Sequence, residues 1–267
     1  MVVIASFLKH AVTSLDAISI LSCEGATLSC YPHIRSLFEI HLYMRWIFQQ
    51  DYETRGSAYY VWDIRRKRYW LRCYLNGTPE YTANAQHMAG TPGADGSIPH
   101  SQAELQAAVD HEDNRLNSAE FTSINAQFEQ RISPSRKDVE WYKPFGASSL
   151  RDMAISLGDE GAYKVFYTQY SRATHGLSFE HQVDVNAGEG EIVFSHLRTL
   201  KSLDEVYRMT FNFAIQIFRT TLDRYRPGEM DAFNLKYETE WRDGFLSIPT
   251  VESRNGSLVI TPRTHQG

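Results

Sequence analysis

Apolar residues recur at helical spacing along most of the chain, and this periodicity constrains the fold more than any other feature of the sequence. The first run consists of Ile4, Phe7, Leu8, Ala11, Leu15, Ile18 and Leu21. Such a stripe gives a helix one apolar side, whereas a half-buried strand needs strict alternation. Comparable patterns predict further helices over 28–50, 52–75, 101–132, 148–157, 159–175, 202–226 and 230–245. We therefore expect an all-α fold, a multi-helix bundle.

Local signals mark where several of these helices begin and end. Ser101 followed by Glu104 is the pattern of a capping box at a helix start. Gly158 is placed to stop one helix, and Asp159 is placed to cap the next. A glycine-containing turn leading into Glu191-Ile192-Val193-Phe194 predicts one small hairpin.

Two stretches lack helical periodicity. Residues 76–100 contain turn-forming Gly, Pro, Asn and Ser, which predicts a long loop that is a mobile loop, a lid or a partner-binding segment. Residues 251–267 are expected to form a flexible tail. We expect a single helical domain over 1–250.

Composition excludes several classes of protein. The formal net charge of the 267-residue chain is −5 at pH 7, so there is no global basic field of the kind that DNA-packaging proteins carry. The three cysteines fit neither a disulfide framework nor a zinc pattern. No uncharged apolar run reaches membrane-spanning length, and no positive residue precedes the apolar start of the chain, so we expect a soluble cytoplasmic protein that has no contact with a membrane. Neither a phosphate-binding glycine loop nor an HExxH or Cys-x-x-Cys motif is present, so we expect no cofactor and no metal.

The helix over 28–50 carries a charged pair among apolar residues. Arg35 and Glu39 are four residues apart and share one helix face, so they can pair. Leu37 and Phe38 between them are typical of a core. Because a charged pair in an apolar core is costly, it is either a structural ion pair between helices or part of a functional site.

A second polar stripe lies on the helix over 159–175. Tyr163, Tyr167, Ser171 and His175 are spaced by fours, and Arg172 borders this stripe. Hydroxyl groups can fix the tautomer of an imidazole, and an arginine adds a permanent positive charge. A histidine acting as general acid or base beside an arginine is sufficient for metal-independent RNA cleavage, in which the 2′-hydroxyl attacks its own phosphodiester. The alternative is a histidine that caps the C-terminal end of a helix.

The helix over 52–75 contains a basic run that is a candidate for binding nucleic acid. Arg65, Arg66, Lys67 and Arg68 are followed by aromatic residues, a combination found in grooves that bind single-stranded nucleic acid. A solvated helix face is the alternative. We expect His111-Glu112-Asp113 to lie on the surface, and all three cysteines to be small buried residues.

These motifs resemble a bacterial helical family of unknown function that carries an RSLFE-like helix and a later Y…S…HG helix. The matching residues are Arg35-Ser36-Leu37-Phe38-Glu39, Ser149-Leu150, Leu157-Gly158, Tyr167, Tyr170, Ser171 and His175-Gly176. The resemblance spans residues 25–225. That pattern is in turn similar to the HEPN superfamily of small helical domains, many of which are ribonucleases in toxin–antitoxin, phage-defence and CRISPR-associated systems.

The resemblance implies a HEPN-like endoribonuclease that acts as a toxin or phage-defence effector. His175 would be the general acid/base, and Arg172 with Arg35 would hold the scissile phosphate. Glu39 would orient Arg35, while Ser171 and Tyr167 would orient the imidazole. The implied partners are RNA such as tRNA, a second copy of the chain, and an antitoxin or defence-system protein. In the superfamily's usual motif the Arg and His lie farther apart than the three residues seen here.

Two other functions are compatible with the same residues. The polar cluster could join helices in a non-catalytic interaction module that binds its partner through residues 76–100 or the basic helix. It could also bind a nucleotide or another small anion through Arg35, Arg172 and His175. Full burial of the cluster would favour the module, and an open cleft would favour the enzyme.

Overall fold

The computed structural model describes residues 2–89, 100–131, 139–174, 183–186, 191–194, 196–254 and 257–263. These residues divide into two compact units, and each is described by itself. The middle unit comprises residues 50–150, and the outer unit comprises residues 2–49 and 151–267. Both units are helical, and the strands among the described residues lie in the outer unit and form two-stranded hairpins, so the predicted all-α class with a small hairpin is confirmed.

Helix α2 (Tyr31–Gln49) is the centre of the outer unit. It packs against α1 (Val2–Cys23), α9 (Thr168–Thr174) and α10 (Leu203–Tyr225). Because neighbours lie on several sides, its apolar side chains are almost fully enclosed: Ile34, Leu37, Phe38, Leu42, Met44 and Ile47. A short 3-10 helix (Thr27–Cys30) leads into α2, and Pro32 lies in the first turn, where its missing N–H has no cost.

Helix α1 buries one face, including Phe7, Ala11 and Ile18. By length and composition alone, this helix is apolar enough to cross a membrane, which differs from the expectation that no such segment exists. In the structure the buried face packs against α2 and α10, as the face of a core helix does.

A continuous helical segment runs from residue 160 to residue 174 along α2. It follows α7 (Leu150–Ser156), and Gly158, two residues after this helix, has φ +78°, as expected of a glycine at a helix end. The segment consists of α8 (Glu160–Ala162), a π-helical turn (Tyr163–Tyr167) and α9. Asp159 does not cap α8 with its side chain, because that carboxylate binds Arg45 of α2 instead.

The predicted hairpin is present. Strands β1 (Val183–Asn186) and β2 (Glu191–Phe194) pair antiparallel, with Val183 opposite Phe194. A second antiparallel hairpin, β3 (Thr250–Arg254) and β4 (Ser257–Thr261), occupies part of the segment predicted to be a flexible tail. The flexible-tail prediction is therefore wrong for these residues, in which Val251, Val259 and Ile260 supply the β-branched residues of a strand pair.

The outer unit is completed by the helices after α10. A 3-10 turn (Pro227–Glu229) leads into α11 (Met230–Lys236), a second π-helical turn (Tyr237–Trp241) and α12 (Arg242–Leu246). These elements occupy the residues for which one helix was predicted, 230–245.

The middle unit is built from α3 (Tyr52–Arg72), α4 (Pro79–Met88), α5 (Gln102–Leu116) and α6 (Thr122–Glu129), with a 3-10 turn at Lys143–Phe145. The capping box of Ser101 and Glu104 is confirmed. Helix α4 contradicts the loop predicted over 76–100, because the Thr78 side chain accepts from the Tyr81 N–H and so caps a helix. Residues 90–99 lie outside the described part of the chain.

Candidate functional site

Arg35 and Glu39 form the predicted pair on α2. The Arg35 Nε donates to Glu39 Oε1 at 2.9 Å, one helical turn away. The two side chains are 22% and 25% exposed, so the pair lies at the edge of the core and not within it. This partial exposure is neither the full burial that would favour an interaction module nor the open cleft that would favour an enzyme.

The helical segment opposite α2 supplies two hydroxyl groups to the same guanidinium. Arg35 Nη2 donates to the Tyr167 hydroxyl at 2.9 Å, and Nη1 donates to Ser171 Oγ at 3.4 Å. The guanidinium carbon also lies 4.9 Å from the centre of the Tyr167 ring. Two helical stretches separated by more than 130 residues therefore meet at Arg35. We call Arg35, Glu39, Tyr167 and Ser171 the Arg35 cluster.

Two members of this cluster, Arg35 and Tyr167, keep one charge state near neutral pH. Burial lowers the pKa of Arg35, but Glu39 and Tyr167 outweigh it and leave this pKa above its ordinary value. Burial together with the Glu39 charge raises the pKa of Tyr167 to about 12, against an opposing effect of Arg35. At pH 7 the cluster thus holds one permanent cation and one neutral phenol.

Aromatic contacts hold the helical segment in place. Phe38 lies 5.9 Å from the Tyr167 ring and 5.3 Å from Phe213 of α10. Tyr170 is fully buried, packs against Tyr31 at 5.0 Å and donates its hydroxyl to the Glu205 carboxylate at 3.1 Å. Burial and the Glu205 charge both raise the pKa of Tyr170, so this hydroxyl stays a donor. Tyr170 therefore anchors α9 between α2 and α10.

The second predicted pair, Arg172 and His175, is only half described. Arg172 lies on α9 with its side chain exposed to solvent. His175 lies outside the described residues. The distance between His175 and the Arg35 cluster therefore stays a prediction, resting on the spacing of four residues from Ser171.

A second polar cluster, which the sequence analysis missed, lies nearer the C-terminal end of α2. The Arg45 guanidinium binds the Asp159 carboxylate and donates through Nη2 to the Leu157 carbonyl at 2.9 Å. His41 Nε2 lies 3.4 Å from Asp159 Oδ2. His41 is 5% exposed, and its Nδ1 has no hydrogen-bond partner among the described residues. The spacing of His41 and Arg45 by four residues was the available signal, but it does not reveal the acid that faces them.

The basic run of α3 is largely engaged within the middle unit. Arg65 is 4% exposed, and its Nη1 donates to Asn125 Oδ1 and to Glu129 Oε1, each at 2.5 Å. Contact between Arg65 and RNA is therefore contradicted by burial. Lys67 pairs with Glu112 at 2.6 Å, and Arg68 pairs with Asp113 at 2.9 Å.

The exposed part of this run is smaller and more aromatic. Arg66 lies over the Trp62 ring, with 4.6 Å between the guanidinium carbon and the ring centre. Tyr69 and Trp70 are 50% and 59% exposed. RNA contact by Arg66, Lys67 and Arg68 stays a prediction, with Arg66 the residue whose surroundings favour it most.

The expectation that Glu112 lies on the surface is wrong. It is 1% exposed, not on the surface, and it binds both Lys67 and Arg115. Burial raises the pKa of Glu112, but the hydrogen bonds from Lys67 and Arg115 outweigh burial and lower it overall. Glu112 is therefore a buried carboxylate that stabilises the contact between α3 and α5.

Metal-ligating residues do not gather in the part of the chain that the structure describes, where no group of three or more His, Cys, Asp or Glu side chains could hold an ion. Cys30 and Cys73 are buried as expected, but Cys23 is exposed. Burial raises the pKa of the Cys30 thiol to about 11, so it stays protonated.

Comparisons with known proteins give one result. The model of a family of unknown function, DUF5677, matches residues 1–191, which include α1 to α9 and therefore the whole Arg35 cluster. Neither a curated protein nor a solved structure matches the chain.

Proposed function

We propose that this chain, which belongs to the family of unknown function DUF5677, is a HEPN-like metal-independent endoribonuclease whose site is built around Arg35. The convergence of Tyr167 and Ser171 on Arg35 carries the proposal. His175 follows Ser171 by four residues in the sequence, which is the spacing of two residues on one face of a helix. An imidazole that acts as general acid or base beside a fixed cation is sufficient for metal-free phosphodiester cleavage.

The Arg35 contacts indicate how a phosphate would bind. The Nε edge of the guanidinium is held by the charged Glu39, and the Nη edge is held by two neutral hydroxyls, one of them at 3.4 Å. A phosphate is a stronger acceptor than either hydroxyl, because charge-assisted hydrogen bonds exceed neutral ones. The Nη edge would therefore exchange the hydroxyls for phosphate oxygens while Glu39 keeps the side chain oriented.

In this mechanism His175 removes the proton from the 2′-hydroxyl, which attacks the adjacent phosphorus and displaces the 5′-oxygen as a 2′,3′-cyclic phosphate forms. The leaving 5′-oxygen takes up a proton from solvent water, and the protonated imidazole of His175 releases its proton to solvent afterwards. Arg35 and the exposed Arg172 would stabilise the added negative charge on the non-bridging oxygens. Tyr167 and Ser171 would position the imidazole.

The wider biological role is part of the same proposal. A toxin or phage-defence effector would act on cytoplasmic RNA such as tRNA, function as a homo-oligomer and be restrained by an antitoxin or defence-system partner. Exposed Arg66, Tyr69 and Trp70 on α3 provide a cation and two ring faces of the type that bind unpaired bases.

The test uses the purified 267-residue chain, total RNA and tRNA. We expect cleavage in the presence of EDTA, and its loss in the His175→Ala and Arg35→Met variants. Arg151→Gln is the matched control, because among the described residues this exposed arginine pairs only with the surface residue Glu160. The Arg151→Gln protein should cleave RNA as the wild type does. Cleavage that requires an added divalent metal, or that survives in His175→Ala, would exclude the mechanism.

A non-catalytic module is the second candidate, and one observation favours it. Each of the three guanidinium nitrogens of Arg35 already has an acceptor within the protein. A cluster that only joins α2 to α9 would look the same. In that case the wild-type protein cleaves no RNA, while Arg35→Met still lowers the melting temperature.

A further inference from the structure

Residues 159–167 lie along α2 and are attached to it by polar contacts at both ends; we call them the cover segment. At its start, the Asp159 carboxylate pairs with the Arg45 guanidinium. At its end, the Tyr167 hydroxyl accepts a hydrogen bond from Arg35 Nη2 at 2.9 Å. All residues of the cover segment are described, and none of them is buried. The segment is therefore held in place without a core side chain of its own.

His41 of α2 is enclosed where the cover segment begins. It is 5% exposed, and its Nε2 lies 3.4 Å from Asp159 Oδ2. Its ring also lies 6.2 Å from the ring of Phe213 on α10. Phe166 of the cover segment packs against the same Phe213 ring, with 6.4 Å between the ring centres. Together with α10, the cover segment therefore shields His41 from solvent.

This closed arrangement leaves one polar atom of His41 unsatisfied. The Nδ1 atom is buried and has no hydrogen-bond partner among the described residues. In either neutral tautomer Nδ1 is a donor or an acceptor, and burying it without a partner destabilises the state that buries it. Opening of the cover segment would let water bond to Nδ1. The closed state therefore carries a cost that an open state does not.

Both ends of the cover segment can absorb a change of backbone conformation. Gly158 precedes the segment with φ +78°, is exposed, and has no atom beyond its chain neighbours within 4 Å of the position that a Cβ would take. At the other end lies the π-helical turn Tyr163–Tyr167, a wide turn of the kind often found at functional sites. Tyr170, three residues farther on, is fully buried and fixes α9. Hinges of this kind let a segment move while the elements around it keep their places.

We propose that the cover segment is an autoinhibitory contact, latched by the Asp159–Arg45 pair, which opens before an anionic ligand reaches Arg35. In the closed state each guanidinium nitrogen of Arg35 has an acceptor within the protein. Opening moves Tyr167 away and frees Nη2, while Ser171 stays with the anchored helix α9. That the ligand is RNA rests on the proposed function, but the opening itself does not.

Chemical labelling of His41 in the full chain measures the opening without reference to cleavage. Diethyl pyrocarbonate modifies an imidazole that solvent reaches, and peptide mass spectrometry compares His41 with the exposed His10 of α1 in the same sample. In the wild type, His41 should react much more slowly than His10. Asp159→Ala and Arg45→Met each remove the latch and should speed the labelling of His41 roughly fivefold or more, the effect of losing a charge-assisted hydrogen bond.

Two comparisons separate opening from simpler effects. Arg45→Met keeps Asp159 in place, so faster labelling of this variant reports opening and not only a missing carboxylate beside the ring. Glu160→Gln is the matched control, because it removes the neighbouring acid, which pairs with Arg151 and Lys164 on the surface. The Glu160→Gln protein should be labelled at His41 as the wild type is.

A ligand arm tests the link to Arg35. An RNA with methylated 2′-hydroxyls lacks the attacking group and so is not cleaved. In the wild type this RNA should speed the labelling of His41, because binding at Arg35 favours the open state, and Arg35→Met should abolish the response. A segment with a structural role alone would show no such response. Asp159→Ala and Arg45→Met should also cleave unmodified RNA faster than the wild type.

Three results would overturn the inference: wild-type His41 reacting as fast as His10, both latch variants being labelled as Glu160→Gln is, or latch variants that open but cleave no faster than an active wild type. A wild type that cleaves no RNA contradicts the proposed function instead. In that case the labelling of the latch variants still decides whether the cover segment opens.

Discussion

The hydroxyl of Tyr167 is the sharpest probe of the Arg35 cluster. Replacing Tyr167 by Phe removes the oxygen that accepts from Arg35 Nη2 at 2.9 Å. The ring stays, and with it the 4.9 Å contact between the guanidinium and the ring centre. The substitution therefore isolates one hydrogen bond. Ser171→Ala is the matched comparison, since its bond to the same guanidinium is 3.4 Å long.

The expected magnitudes differ. A hydrogen bond to a charged group contributes about 1.5–3 kcal/mol. Because the Arg35 side chain is 22% exposed and water can replace part of the interaction, we expect Tyr167→Phe to cost about 1 kcal/mol. Ser171→Ala should cost less than about 0.5 kcal/mol, because its donor–acceptor distance exceeds the normal range. For a chain of this size, about 1 kcal/mol corresponds to a melting-temperature shift of roughly 2–4 °C.

Urea unfolding followed by far-UV circular dichroism measures these costs, and a double-mutant cycle with Arg35→Met measures the coupling. We expect a coupling energy of about 1 kcal/mol between Arg35 and Tyr167. Equal costs for Tyr167→Phe and Ser171→Ala, or a coupling below about 0.3 kcal/mol, would refute the geometry of the cluster.

Three further substitutions test other parts of the structure. The pKa of Glu112 is lower in the folded state, so its ionisation stabilises the fold above the pKa of the unfolded state. This contribution is lost as the pH falls through the folded pKa. The free energy of unfolding, measured by urea titration from pH 7 to pH 3, should therefore decline less steeply for Glu112→Gln than for the wild type. Asp159→Ala leaves Arg45 without its acid and should lower the free energy of unfolding by about 1–3 kcal/mol, measured by urea titration, and no change would show that the pair contributes nothing. Gly158→Ala places a side chain at φ +78° and should cost about 1 kcal/mol in the same assay, whereas an unchanged midpoint would contradict a left-handed helix end.

The helical framework and the two polar faces that form the Arg35 cluster could be predicted from the sequence because both depend on local spacing. Arg35 and Glu39 are four residues apart on one helix, and the hydroxyls that meet them form a stripe of fours on another. Spacing places side chains on a helix face but does not state which helix that face meets. This is why Asp159 was interpreted as a helix cap and not as the partner of Arg45.

Arg65 and Glu112 are buried charged residues whose burial could have been predicted from helical periodicity but not from local composition. Arg65 continues the buried stripe of Ala58 and Val61 on α3, and Glu112 continues that of Leu105 and Val109 on α5. Both were assigned by the charge of their neighbours in sequence, as a basic run and as a surface acidic group. Their positions on the helix, at multiples of three and four from core residues, predict burial.

The π-helical turn at Tyr163–Tyr167 acts as a spacer between two attachment points. Twelve residues separate Asp159 from Ser171, a rotation of about 120° beyond whole turns in a regular α-helix, so these two side chains would point in different directions. The surplus residue in the wide turn cancels about 100° of that angle and lets both side chains face α2, where each meets its own arginine. Deleting a single residue such as Val165 would give a more regular helix that can satisfy Arg45 or Arg35, but not both at once.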